Sequence, residues 1–379
     1  MPRIDQSQTS KSPSLADRAI VGLRAWLAAM YAATIWVTPR LWTERAEPPL
    51  LPWVELPPFD GYGELLLATA CLFVVWPRLG LIANVLVGVV AMTADQTRMQ
   101  PQIFSFWLLM LGCWPQPAAQ LIGRAHLSSL WLFSGIHKLL SEGYFNEVAP
   151  WLWNGIFAVD RWPSLISGAK PFAAAIATVE LLLGVLLWWR PARRPVAAVA
   201  ALLHIGIVIM LASMEGLDPA KRGWNSSVWG WNLALAGAAL VFVGLWQESL
   251  SDTVLRTGRY AAVAVGLLVL SPLLYYAGRL DAYLCHCLYS ANVPTATFIP
   301  GRDTPGTAYR MQGAEGPYWK NLNVPQPPTH RNFEIYFRRV ARPGDMLLIE
   351  DPRIGPFSED WKRYAWRCTE GGVERIPLP

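Results

Sequence analysis

Nine apolar runs, separated by short charged or proline-bearing links, decide what this chain can fold into. They cover about 19–37, 62–77, 79–94, 102–114, 118–140, 171–189, 195–213, 228–246 and 260–277. Most approach the roughly 20 residues that carry an α-helix across a bilayer. A helix satisfies its own backbone hydrogen bonds where the solvent offers none. The fourth run, Gln102 to Trp114, is short and bounded by Pro101 and Pro115, so a half-span stays open beside a full crossing. Composition agrees with the pattern: 53% of the residues are hydrophobic and 16% charged, and the 20 Trp suit a membrane interface. The expected class is an all-α polytopic membrane protein of about nine transmembrane helices, in contact with membrane lipid.

Charge sets the expected orientation. Met1 to Asp17 is polar, carries Arg3 and Lys11, and lacks the apolar core and cleavage site of a signal peptide. The first run then reads as an uncleaved span. Arg190-Pro191-Ala192-Arg193-Arg194 is the clearest basic loop and is expected on the cytoplasmic side. If all nine runs cross, Arg78, Arg256, Arg259 and the N-terminal tail fall on that side too. The expected location is the plasma (inner) membrane, with the N-terminus cytoplasmic and the C-terminal domain extracytoplasmic. The net charge of +5 is spread over loops with no basic and aromatic stripe, so no nucleic-acid partner is expected. This topology gathers Asp60–Glu64, Asp95–Gln100, the loop after Lys138 and Asn225–Asn232 on the outer face.

Three regions follow: a cytoplasmic tail at 1–18, a helical transmembrane domain at 19–277 and a C-terminal extramembrane domain at 278–379. Within the last, Thr295–Ile299, Met346–Glu350 and Tyr364–Thr369 alternate like strands, and Asn332–Val340 reads as a helix, giving a small α/β domain. Pro325, Pro327 and Pro328 make the link before that helix stiff and extended. Cys71 and Cys113 lie in apolar runs and act as small apolar residues. Cys285, Cys287 and Cys368 fall outside, where a bridge from one of the first two to Cys368 is expected. Cys285-His286-Cys287 lacks the spacing and the second ligand pair of a zinc motif, so no metal is expected.

Ionisable residues inside the runs are the candidate site. Lys138 closes the run Gly123–Leu139. A charge there either snorkels to the headgroups or faces a polar cavity. Ser134 lies four residues before it, on the same helix face. A buried lysine held as the amine can act as a general base. His137 is placed to hold or relay a proton. Glu180 and His204 sit in the middle of apolar runs and serve either chemistry or the locking of one helix to another. Asp95, Arg98 and Gln100 form an amide-rich link that suits a carboxylate or quinone headgroup, or a simple ion pair at a helix end. Trp224-Asn225 and Trp231-Asn232 repeat at seven residues, as a platform for an amphiphilic ring or as an interfacial aromatic belt.

Ser134-Gly135-Ile136-His137-Lys138-Leu139, followed by Tyr144-Phe145 and by Glu180-Leu181-Leu182-Leu183-Gly184, resembles the DoxX/MauE-like membrane proteins. The same pattern is similar to the vitamin-K-dependent gamma-carboxylase-like (HTTM) family. The resemblance implies quinone-linked chemistry on a helical scaffold, with Lys138 as the base acting with a quinol on the outer side. The expected function is a quinol-linked membrane enzyme, an oxidoreductase or carboxylase-like activity. Its expected catalytic residues are Lys138, His137 and His204, and its cofactor-binding residues Asp95, Arg98, Gln100, Trp231, Asn232 and Glu180. The competing reading is a non-catalytic membrane scaffold or maturation partner whose C-terminal domain binds another protein. A transporter is disfavoured, since no paired broken helices occupy corresponding halves.

Overall fold

A computed structural model describes residues 15–157, 167–215, 224–282, 284–287, 290–311, 316–324, 330–351 and 362–378. Pro325, Pro327 and Pro328 lie outside these residues, as do the side chains of Trp224 and Asn225. Each of the nine apolar runs is helical: α1 Leu15–Val37, α2 Tyr62–Val75, α3 Pro77–Ala94, α4 Pro101–Gly112 and α5 Pro117–Leu139 come first. A short helix, α6 Ala149–Phe157, precedes α7 Ala169–Leu186 and α8 Arg193–Glu215. Then come α9 Trp229–Ala238, extended by a π-helical turn to Gly244, α10 Leu250–Thr257 and α11 Arg259–Leu270. Proline opens α3, α4 and α5 at the first turn, where its missing N–H costs nothing.

Helix and span are not the same thing here. Among the described residues five helical stretches are long and apolar enough to cross a membrane, at Leu15–Val37, Pro77–Ala94, Ala169–Leu186, Arg190–Ser213 and Ser226–Gly244. The pair α10 and α11 is bent by 118°, and counts as a sixth only if taken as one broken span. Helices α2 and α4 are shorter, at 14 and 12 residues. Exposed apolar side chains such as Leu86 on α3, Leu202 on α8 and Leu267 on α11 give the bundle a surface suited to lipid.

Helix α5 is the centre of the bundle, packed against α4, α7, α10 and α11. Arg124, His126, Ser128, Ser129, Ser134, His137 and Lys138 are all buried on it. A helix buried on most sides can carry polar groups all round because neighbouring helices supply their partners. Arg193, read above as part of a basic loop, is also buried. It donates to the carbonyls of Leu187, Trp188, Trp246 and Glu248 and lies 3.3 Å from the centre of the Trp246 ring. It therefore ties the α7–α8 corner to the end of the α9 segment, while Arg190 and Arg194 stay at the surface.

The C-terminal region folds as a five-stranded antiparallel sheet in the order β2-β1-β3-β4-β5, with β1 Thr295–Ile299, β2 Tyr309–Arg310, β3 Met346–Asp351, β4 Lys362–Thr369 and β5 Gly372–Pro377. Strands β1, β3 and β4 and the helix α13 His330–Val340 match the alternation read in the sequence, whereas β2, β5 and α12 Pro317–Leu322 were not legible there. No disulfide joins the strands to the bundle: Cys285, Cys287 and Cys368 are thiols. The expected bridge fails because Cys285 and Cys287 pack beside Tyr275 and Ala282, while Cys368 belongs to the core of the sheet. The region is fastened to the bundle by side-chain amides instead. Asn323 Nδ2 donates to Val37 O at 3.0 Å and Ser226 Oγ at 2.8 Å, and Asn332 Nδ2 donates to Gln96 Oε1 at 3.0 Å. Links near residues 37, 96 and 226 thus meet beneath it.

Asp345 holds the turn before β3. Burial alone raises its carboxyl, but the N–H groups of Arg342 (2.8 Å) and Gly301 (2.7 Å) donate to it and hold it below the ordinary carboxylate range. A depressed folded pKa contributes stability above the unfolded value that is lost as pH falls through the folded one. Hydrogen exchange at the Gly301 and Arg342 amides should therefore accelerate on acidification below about pH 4. Asp345→Asn should flatten that acid limb; an unchanged pH profile in the variant would assign the acid sensitivity elsewhere.

Candidate functional site

Helices α5 and α7 approach closely because both present small residues to the other. On α7, Ala169, Ala173 and Ala177 are buried at four-residue spacing, with Gly184 seven residues further on. A Cβ on Gly184 would come within 2.5 Å of Leu132 N, and one on Gly135 within 2.5 Å of Ala177 O. Only glycine allows these backbones to meet. The sequence pattern Ser-Gly-x-x-Lys on α5 and Glu-x-x-x-Gly on α7 thereby acquires a mechanical meaning: each glycine brings the neighbouring polar residue within bonding reach of the opposite helix.

The result is a buried triad. Lys138 Nζ donates to Glu180 Oε2 at 2.5 Å and to Ser134 Oγ at 2.6 Å, and Ser134 Oγ donates to Glu180 Oε2 at 3.1 Å. The Lys138 and Glu180 side chains are 7% and 8% exposed, so the pair has left water almost entirely. An ammonium has three N–H donors, and two are accounted for here. The triad faces a cavity of about 100 Å³ whose other walls are mainly apolar, including Leu130, Ile176, Ile207 and Met210.

His204, Trp231 and Asn232 also line this cavity, on the side opposite α7. Trp131 Nε1 donates to His204 Nε2 at 2.9 Å, and an indole N–H can only donate. The His204 proton therefore sits on Nδ1, 2.8 Å from Asn232 Oδ1, and Asn232 Nδ2 donates in turn to Val228 O. Both ring nitrogens of His204 are engaged, so it holds α5, α8 and α9 together. Trp231 spends its N–H on Ser105 Oγ at 2.8 Å, and Ser105 lies 2.7 Å from His126 Nε2, so the cavity meets the indole ring.

His137 does not line the cavity. Its Nε2 faces Cys285 O at 2.7 Å and must carry the proton, while Nδ1 accepts from Tyr276 Oη at 2.6 Å. It pins the segment after α11, whose next residue, His286, does line the cavity. His286 has a left-handed backbone (φ 64°), which costs a non-glycine residue about 1–2 kcal/mol. That strain is maintained by the contact its neighbour makes with His137. His286 was not among the residues nominated from sequence, although its position between two cysteines made it conspicuous. Tyr144, also on the cavity wall, was legible only as part of the resemblance.

Asp95, Arg98 and Gln100 are elsewhere. None lines the cavity, and all three are buried in a fastening of their own. Asp95 accepts from Arg45 Nη2 at 2.5 Å, Thr97 Oγ1 at 2.6 Å and Leu51 N at 3.1 Å. Arg98 donates to the carbonyls of Leu41, Ala91 and Thr43, and Gln100 to that of Thr97. These groups spend their bonds on holding the 38–60 segment against the end of α3. Six of the nine nominated residues thus belong to one neighbourhood, five on the cavity wall and His137 just behind it, whereas the amide-rich link does not. Among the described residues no group of three or more metal-ligating side chains occurs. No protein-family model, curated protein or solved structure matches this chain.

Proposed function

We propose that this chain is a quinol-linked membrane enzyme of the carboxylase-like/DoxX type, with Lys138 as its general base. The observation that carries the reading is a lysine–glutamate pair buried at the wall of an otherwise apolar cavity. Moving one proton across the 2.5 Å contact converts ammonium and carboxylate into amine and acid without changing net charge. An amine so formed on the lysine can act as a general base. The proton partner that this geometry supports is Glu180 rather than His137 or His204, whose ring nitrogens are already engaged.

A hydroquinone, when bound, would supply a phenolic O–H whose proton can be removed. Lys138 as the amine would take that proton and become the ammonium, Ser134 would keep Nζ directed at Glu180, and the Trp231 ring with Leu130 and Ile207 would hold an apolar ring and exclude water. Size tests the fit. A cavity of about 100 Å³ is smaller than the ~150 Å³ that accepts benzene, so a single ring enters only when a side chain yields. Met210, unbranched and on the wall, is the residue suited to do so. The preferred cofactor is accordingly a one-ring quinol. On this reading the chain lies in the plasma membrane, with its basic α7–α8 corner cytoplasmic and its sheet domain, which lies toward the Lys138 end, extracytoplasmic.

Solvent extracts of the purified protein, assayed by mass spectrometry, test this. Wild type should carry a quinone near one equivalent, and Ile207→Trp, which fills the cavity while leaving the triad intact, should carry none. No enrichment in wild type kept in native lipid, or equal amounts in both proteins, would remove the quinol reading and leave the scaffold reading in its place.

A further inference from the structure

At the end of the bundle remote from Lys138, a second concavity of about 540 Å³ lies between α1, the α2–α3 corner and the α4–α5 link. Its walls are Arg24, Trp76, Pro77, Arg78, Trp114 and Pro115 with Leu79, two cations and no carboxylate. Arg78 is exposed, with its guanidinium 5.9 Å from the centre of the Trp114 ring. Arg24 reaches the groove from α1 and is held there by Cys113 O, which accepts from its Nη2 at 3.0 Å and Nε at 3.4 Å. Helix α3 starts at Pro77, adding the positive end of its dipole to the same place.

The surroundings identify the source of an anion held there. Trp76 and Leu79 are 61% and 58% exposed, and Val75 beside them is 65% exposed. An anion in this groove therefore lies against a surface made for acyl chains, with tryptophans at the level of the headgroups. Basic pockets between helices on the cytoplasmic side are where acidic headgroups are bound. We infer that this groove is a binding site for the phosphate of an anionic phospholipid, held by Arg24 and Arg78. The site is separate from the Lys138 cavity and does not depend on what that cavity does.

Native mass spectrometry of the full-length, delipidated protein, titrated with phosphatidylglycerol or phosphatidylcholine, decides the matter. Wild type should retain phosphatidylglycerol in preference to phosphatidylcholine. Arg78→Gln, an exposed change that leaves the fold intact, should weaken phosphatidylglycerol about fivefold. Arg24→Gln, which removes the second cation of the groove, should weaken it as well. Phosphatidylcholine binding should be unchanged in both variants. Equal retention of the two lipids, or of phosphatidylglycerol by wild type and both variants, would overturn the assignment. Displacement of the lipid by millimolar inorganic phosphate would also overturn it, making the ligand a free anion.

Discussion

Lys138→Met alone should destabilise the protein by about 3–5 kcal/mol, whereas the double change Lys138→Met/Glu180→Leu should recover most of that loss. The single change leaves Glu180 buried with only the Ser134 hydroxyl for company. Removing both partners takes away the desolvation cost along with the attraction, and apolar replacements of similar volume pack into the same space. A thermal or denaturant series in detergent on wild type, both single variants and the double variant measures the coupling directly. Additive losses would mean that the pair is not one electrostatic unit, and the proton-sharing role of Glu180 would fall with it. If the proposed quinol-linked function holds, the double variant should lose quinol-dependent chemistry while remaining folded, which separates a catalytic lysine from a structural one.

Gly184→Val should be strongly damaging to the bundle, with a cost of about 3 kcal/mol or more. The added atoms meet the backbone of Leu132, at 2.5 Å from N and 2.8 Å from Cα, so no rotamer change in a neighbour relieves the clash. Helices α5 and α7 must separate. The hydrogen bond from Ser128 Oγ to Gly184 O, now 2.7 Å, then lengthens, and so does the Lys138–Glu180 contact. Gly206→Val on α8 is the control, since a side chain there meets nothing within 4 Å. Size-exclusion elution and melting temperature should be near wild type for Gly206→Val and strongly altered for Gly184→Val. Similar behaviour of the two would show that the close approach of α5 and α7 is not what holds the site.

These two effects show where sequence reading reaches and where it stops. The helices were legible because apolar residues recur over lengths of about 20, a pattern contained in each segment. The strands β1, β3 and β4 were legible because their inward positions alternate with outward ones. Strand β2 was not, because two residues carry no period, and β5 was not, because Gly-Val-Glu-Arg-Ile-Pro mixes charge with apolar residues in a hairpin partner of β4. The disulfide was misread for a related reason. Three cysteines on one side of a topology diagram say nothing about whether their sulfurs approach, and packing put them in different cores.

For the site, the sequence by itself determined the chemical inventory. Ser134, Lys138, Glu180 and His204 stood out because ionisable and hydroxyl groups inside apolar runs must find partners. Tertiary structure alone decided which partners. Glu180 is 42 residues from Lys138, and only the glycine-permitted approach of α5 to α7 brings them into contact. It also sorted residues that looked alike along the chain. Asp95, Arg98 and Gln100 became a fastening, His204 became a clamp, and His286 reached the cavity through a backbone contact to His137. Local periodicity is written into neighbouring residues, whereas a site joins side chains from helices far apart in the chain, and their meeting depends on packing that no single segment contains.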